Sequence, residues 1–174
     1  GCDGINTWFI SRFAKESGLK AVLSGVGGDE LFGGYPSFER MKTVNMLQKL
    51  PEKILRSGRK ISSKKFRRLP YLTLKGAKGK YLFLRGMFIP SEIAQYLNMD
   101  EREVWKILEA EPSFDNIEYL TPGNQASWME MNLYMQNQLL RDADVMSMIH
   151  GIEIRVPFLD RDLVDFALQV SSDI

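Results

Sequence analysis

The longest helical signal in the chain runs from Asn124 to His150, and it constrains the fold more than any other stretch. Trp128, Met131, Met135, Leu139, Met146 and Ile149 recur at helical spacing, so they share one face that other protein must cover. Pro122-Gly123 precede the run and Gly151 ends it. Asp142 falls on the same stripe, where a carboxylate is costly unless paired. Arg141 or Arg155 is its expected structural partner; a cleft-facing acid or a metal role for Asp142 and Asp144 is the sharper alternative.

Other segments extend the helical pattern. Residues Asn6 to Ser17 put Phe9, Ile10, Phe13 and Ala14 on one face, with Gly18 as the stop. Phe38 to Leu50 is helical again and Pro51 closes it. Helices are expected to begin near Lys75, Pro90 and Asp100, with Ser91 and Asp100 as caps and Pro112 as a terminator. After Arg155 to Asp160 (RVPFLD), Asp160 is placed to cap a last helix with Leu163, Phe166, Ala167 and Val170 inward. Glu153 and Arg155 read as charges locking a corner between two helices.

Only one stretch reads convincingly as a strand: Lys20 to Leu23, a short apolar run expected to be buried, which leads into SGVGGDELFGGY (Ser24 to Tyr35). The architecture expected is mainly α with a partial α/β unit, since a doubly wound sheet needs several parallel strands. Its 174 residues suit one domain.

Charge and cysteine content narrow the functional classes. The lone Cys2 excludes an intramolecular disulfide and a thiolate metal site, and it fits a reducing, cytoplasmic setting. No window is apolar for the ~18 residues a spanning helix needs. His150 is the only histidine and sits in the last turn of a helix, so neither a serine–histidine dyad nor a histidine metal site is supported. Twelve of the 23 Lys and Arg residues lie between Lys49 and Lys80 with Glu52 as the only acid. Such a stripe is either a helical nucleic-acid-binding module or a solvated, mobile connecting segment, and charge runs favour the second, so nucleic acid is disfavoured as a partner.

The turn at Ser24 carries the chemistry. A strand running into glycines exposes backbone N–H groups to a phosphate, and Asp29 at the end of such a strand can hold Mg²⁺. No lysine follows the glycines as a Walker A loop requires, and the spacing is not GxGxxG. A tight structural turn with a capping aspartate explains the same residues equally well.

Two strings, SGVGGDELFGGY and MSMIHGIEIRVPFLDRDLVDFA, resemble the synthetase domain of the glutamine-hydrolysing asparagine synthetases and their relatives. The preceding DGINTWFISRFAKESGLKAVLSG also resembles that family. The resemblance implies a fold of the adenine-nucleotide-hydrolase, PP-loop type, with residues 1–174 a truncated piece of the synthetase domain that lacks the glutaminase domain and the pyrophosphate loop. It implies an ATP- and Mg²⁺-dependent enzyme in which a carboxylate such as that of aspartate is adenylated and then amidated by glutamine-derived ammonia, and it allows a homodimer. By resemblance Ser24 and Gly25 contact the nucleotide and Asp29 helps hold Mg²⁺, and Gly27 and Gly28 of the same glycine-rich turn are expected to join the cofactor site. Cys2 does not match the glutaminase nucleophile, because synthetase-like sequence follows it directly. The piece by itself is expected to be inactive, and a degenerate, non-catalytic relative is the other reading.

One departure bears on the product. The family carries a glutamate at the position of Val26, and an aliphatic side chain neither accepts a proton nor binds an amine. Relatives that amidate sugars, build β-lactams or close peptide lassos widen the range of products accordingly, and Glu30 is the nearby acid that can take over a polar role.

Overall fold

The structure, a computed structural model, describes residues 2–58, 63, 66–74, 76–110 and 116–170. They form two compact units, residues 1–39 with 126–174 and residues 40–125.

The first unit is built on α1 (Cys2–Glu16) and β1 (Ala21–Leu23), followed by α2 (Gly28–Phe32) and the start of α3 (Pro36–Gln48). It resumes at the end of α8 (Pro122–Met129), which runs through a π-helical stretch (Glu130–Leu139) into α9 (Leu140–Met148). β2 (Glu153–Arg155), a 3₁₀ turn (Pro157–Leu159) and α10 (Arg161–Gln169) complete it. β1 and β2 pair in parallel, with Ala21, Val22 and Leu23 opposite Glu153, Ile154 and Arg155. The chain is therefore mostly helical with a two-stranded parallel sheet.

β2 corrects the reading of Glu153 and Arg155 as a corner between helices. Three residues are too few to display an alternating pattern, and only the pairing identifies the strand. Glu153 and Arg155, two apart, fall on one face of it, and Arg155 Nε donates to Glu153 Oε1 at 3.0 Å. β1 is not the buried strand expected: Leu23 is 75 % exposed. No further strand flanks the pair among the described residues.

Helix existence follows the periodicity closely, but the buried faces do not. α1 packs on α9 through Gly4, Ser11 and Ala14, leaving Phe9, Ile10 and Phe13 exposed. Small residues let the helices approach: a Cβ on Gly4 would stand 3.3 Å from the Asp142 carboxylate. In the long run from Pro122 to Met148, the π segment bonds i to i+5 and so rotates the later face. Ala126, Met129, Leu133, Met135, Ala143 and Ser147 are buried, while Ile149 is exposed. α10 begins where Asp160 Oδ1 accepts from the N–H groups of Asp162 and Leu163, yet Phe166 and Val170 face outward.

The second unit holds the rest of α3, then α4 (Glu52–Ser57), a 3₁₀ helix (Phe66–Thr73), α5 (Gly76–Arg85), α6 (Pro90–Leu97), α7 (Glu101–Ala110) and the start of α8. Its core is Tyr71, Leu74 and Trp105, with Leu82, Phe83 and Leu108 against them. Asp100 caps α7 as expected, its Oδ1 accepting from Arg102 N–H at 2.7 Å. Ser91 does not cap α6: Pro90 takes the first helical position and Glu92 Oε2 reaches back to Ile89 N–H. Pro112 lies outside the described residues.

The described part of the basic stripe is mixed: Lys49 and Lys53 are exposed, as a solvated segment would have them, while other members pack into this unit. Lys78 and Lys80 are buried, Arg56 is bonded to Glu52 and lies over Trp105, and Arg67 faces Glu92. Leu69 to Leu72 between them are buried. Arg59, Lys60, Lys64, Lys65 and Lys75 lie outside the described residues.

Candidate functional site

The strand-to-turn junction begins where β1 ends. Ser24 N–H continues the sheet ladder to Arg155 O at 2.8 Å, and the chain then bends through Gly25 to Gly28 into α2. Gly27 adopts φ +100°, a conformation open to glycine and strained for other residues. Behind it lie Leu159 and Phe158: a Cβ on Gly27 would come within 2.7 Å of Leu159 Cδ2 and 3.1 Å of Phe158 Cβ. The two sequence strings far apart in the chain thus meet here. RVPFL supplies the strand partner and the apolar backing of SGVGG.

The bend is held from inside. Val26 N–H donates to Ser24 Oγ at 3.3 Å, Gly27 N–H to Glu30 Oε2 at 3.0 Å, and Gly28 N–H to Gly25 O at 3.1 Å. Glu30 is 1 % exposed, and its other oxygen accepts from Tyr35 Oη at 2.8 Å. Burial first, then the hydrogen bond and charge of Glu30, push the Tyr35 phenol above its ordinary pKa. The N–H groups of Val26, Gly27 and Gly28 are therefore bonded within the turn.

What faces outward is a narrower set. Gly25 is exposed, and a Cβ there would meet nothing within 4 Å. Ser24 Oγ accepts from Val26, which leaves its O–H to donate. The Asp29 carboxylate is exposed and makes no hydrogen bond or ion pair to the described residues. Gly34 keeps room for it, since a Cβ at Gly34 would run into the Asp29 side chain. Gly33, at φ +89°, ends α2, and the N–H groups of Gly33 and Gly34 both close onto Asp29 O.

This set fits a magnesium–nucleotide and not a metal caged by protein. Mg²⁺ in nucleotide sites commonly takes one or two carboxylates, the remaining ligands being phosphate oxygens and water. No group of three or more His, Cys, Asp or Glu able to hold an ion occurs among the described residues, whereas Asp29 is a single exposed carboxylate with no ion pair to them.

The remaining candidates are dispersed. Asp142 is half-buried against Gly4, Asp144 is exposed, and Arg155 bonds Glu153 in place of the expected Asp142. His150 stacks edge-on against Trp8 at 4.8 Å, and Cys2 is exposed and unbridged. The sequence reading missed Tyr35, Gly34, Phe158 and Leu159 as parts of the turn. All four lie inside the strings that carried the resemblance, but only the fold shows what each one touches.

Comparison with known proteins gives the following. The asparagine synthase family model matches residues 2–174. The asparagine synthetase (glutamine-hydrolysing) 1 of Bacillus subtilis is 28% identical over 189 residues, covering 98% of this chain and 28% of that protein. A putative glutamine-hydrolysing asparagine synthetase of Mycobacterium bovis is 29% identical over 170 residues, covering 90% of this chain and 24% of that protein. A putative relative from Methanocaldococcus jannaschii is 45% identical over 53 residues, 30% of this chain and 10% of its own. The chain thus spans about a quarter of the length of the first two relatives. No solved structure matches it. No helix among the described residues is long and apolar enough to cross a membrane.

Proposed function

The chain belongs to the asparagine synthase family, and from that premise we propose that it forms the Asp29 side of the nucleotide site in an ATP-dependent, amide-forming synthetase. Both compact units belong to one synthetase domain in this reading, because the family match runs through both. The fold of the whole domain is of the PP-loop type. The exposed apolar residues of α1 and the bare strand Ala21–Leu23 are consistent with further parallel strands covering them in the parent protein.

The observation that carries the proposal is the division of the turn into a sealed back and an open lip. Gly27, Gly28, Glu30 and Tyr35 hold the bend, while Gly25 and the Asp29 carboxylate are exposed and Ser24 keeps an O–H to donate. ATP with Mg²⁺ supplies the leaving group that activates a carboxylate for attack by ammonia. The chain's own residues orient and neutralise: Asp29 holds the metal, Gly25 allows close backbone approach, and Ser24 donates a hydrogen bond. Gly27 and Gly28 serve by fixing the bend, not by donating to phosphate. Glutamine is the nitrogen source, as in the names of the relatives, and aspartate the first acceptor to try. Val26 brings no charge or hydrogen-bonding side chain to an acceptor, so other carboxylates belong in the same panel.

The test uses the parent protein with ATP, Mg²⁺ and glutamine or ammonium, and reads pyrophosphate and AMP with and without a panel of carboxylates headed by aspartate. Carboxylate-dependent pyrophosphate release with formation of an amide supports the proposal. Release of inorganic phosphate with ADP, or no nucleotide turnover with any of the panel, refutes it.

A further inference from the structure

The second unit contains a cleft of ≈ 750 Å³, a volume usual for small-molecule sites, and none of its lining residues belongs to the glycine turn. Lys80 of α5 lines it and is 2 % exposed. Its ammonium makes one hydrogen bond to the described residues, to Gln125 Oε1 at 3.1 Å. Gln125 is itself fixed by donating from Nε2 to Leu120 O at 3.0 Å, so its oxygen is held toward the lysine. An ammonium has three donors, and a buried cation with one neutral partner among the described residues is costly unless water or an anion joins it. Burial pulls the Lys80 pKa down, and the charge of Glu118 on the cleft wall opposes that pull.

A second mismatch lies on the same cleft. Asn45 Oδ1 is shut off from solvent and has no hydrogen-bond partner among the described residues. Its side-chain torsion is broad, so turning the amide toward the cleft sacrifices no existing bond to Oδ1. The cleft therefore offers the under-bonded cation of Lys80, an unused acceptor and, at its exposed edge, both the ammonium of Lys49 and the carboxylate of Glu118.

We propose that this cleft is a binding site for a small zwitterionic amino acid, its carboxylate paired with Lys80 and its ammonium received by Asn45 Oδ1 and Glu118. A multiply charged inorganic anion would satisfy Lys80 and Lys49 but face Glu118 and leave Asn45 unmet, and a simple cation would face the two lysines. The site does not depend on the amide-forming reading, since no residue of the glycine turn enters it.

Isothermal titration of the 174-residue chain with L-serine, L-asparagine and L-glutamine tests this, with acetate, methylammonium and inorganic phosphate as controls. At least one amino acid binds with unit stoichiometry and at least about tenfold more tightly than any control. Lys80→Met weakens that binding about tenfold or more, because the buried charge partner is gone. Asn45→Leu weakens the amino acid but not acetate, and it stands as the deciding variant if Lys80→Met does not fold. Asp29→Asn leaves the affinity unchanged, which separates this cleft from the turn. The proposal is overturned if no amino acid binds at millimolar concentration, if phosphate or acetate binds equally well, or if neither Lys80→Met nor Asn45→Leu changes the affinity.

Discussion

Gly25 and Gly27 stand two residues apart in one turn, and the structure assigns them opposite sensitivities to the same substitution. Alanine at Gly27 must hold φ +100°, outside the usual left-handed well, at about 1–3 kcal/mol. Its Cβ must also displace Leu159 Cδ2 from 2.7 Å and Phe158 Cβ from 3.1 Å, an overpacking of about 1–3 kcal/mol. The loss of unfolded-state freedom on replacing glycine returns about 0.4–1 kcal/mol. Gly27→Ala is therefore expected to destabilise the protein by about 2–4 kcal/mol. At Gly25 the added methyl meets nothing within 4 Å and no positive φ applies, so Gly25→Ala stays within about 0.5 kcal/mol of wild type or gains slightly. Urea unfolding followed by far-UV circular dichroism measures both, provided the m-value is unchanged. In the parent protein Gly25→Ala is expected to raise the KM for ATP, because the methyl stands on the open lip. Equal cost at the two positions, or a Gly27→Ala effect under about 0.5 kcal/mol, would refute the division of the turn into a sealed back and an open front.

Glu30→Ala removes the acceptor of both Gly27 N–H and Tyr35 Oη from a buried site and should cost about 2–4 kcal/mol, with Glu30→Gln costing less; a change within experimental error in urea midpoint contradicts the capping role. Tyr71 is pushed up to about 12 by burial, against the opposing charge of Arg68, and its hydroxyl donates to Phe88 O at 2.7 Å. Because the folded phenol holds its proton to higher pH than the unfolded one, its contribution to stability is complete below pH 10 and is lost as pH rises through about 12. Tyr71→Phe should flatten that alkaline decline, and the same decline in wild type and Tyr71→Phe would argue against it. Asp160→Ala deletes the acceptor for Asp162 and Leu163 N–H and should cost about 1 kcal/mol by urea unfolding, and an unchanged midpoint contradicts the cap.

How far the sequence could be read depended on the range of the interaction involved. Helix existence and stops were legible because they are local: Gly18 and Gly151 adopt positive φ where the chain needs a stop, and Asp100 and Asp160 cap as their spacing suggested. Buried faces were not, because they depend on the partner. α1 turns Gly4, Ser11 and Ala14 inward since α9 must come close, which no count of aromatic residues reveals. The π segment from Glu130 to Leu139 likewise turned the long stripe away from the spacing that defined it. Lys78 and Lys80 were read as part of a solvated charge run, although polar partners in the second unit, Leu108 O and Gln125, receive them. At the site, the glycines and Asp29 could be singled out by residue type. The inward use of the amides could not, because it rests on Glu30 and Tyr35 meeting across the turn and on Phe158 and Leu159 arriving from the far end of the chain.

The claim on which the functional account rests is that the unpaired Asp29 carboxylate at the open lip holds the magnesium of the nucleotide. Pyrophosphate release by the parent protein, titrated with Mg²⁺ at fixed ATP in wild type and Asp29→Asn, measures this directly. The account predicts at least about a tenfold loss of rate and a raised magnesium requirement, since a lost metal ligand should cost no less than a lost outer-shell partner, with unfolding midpoints matching wild type. An Asp29→Asn protein with unchanged rate and magnesium dependence would contradict it.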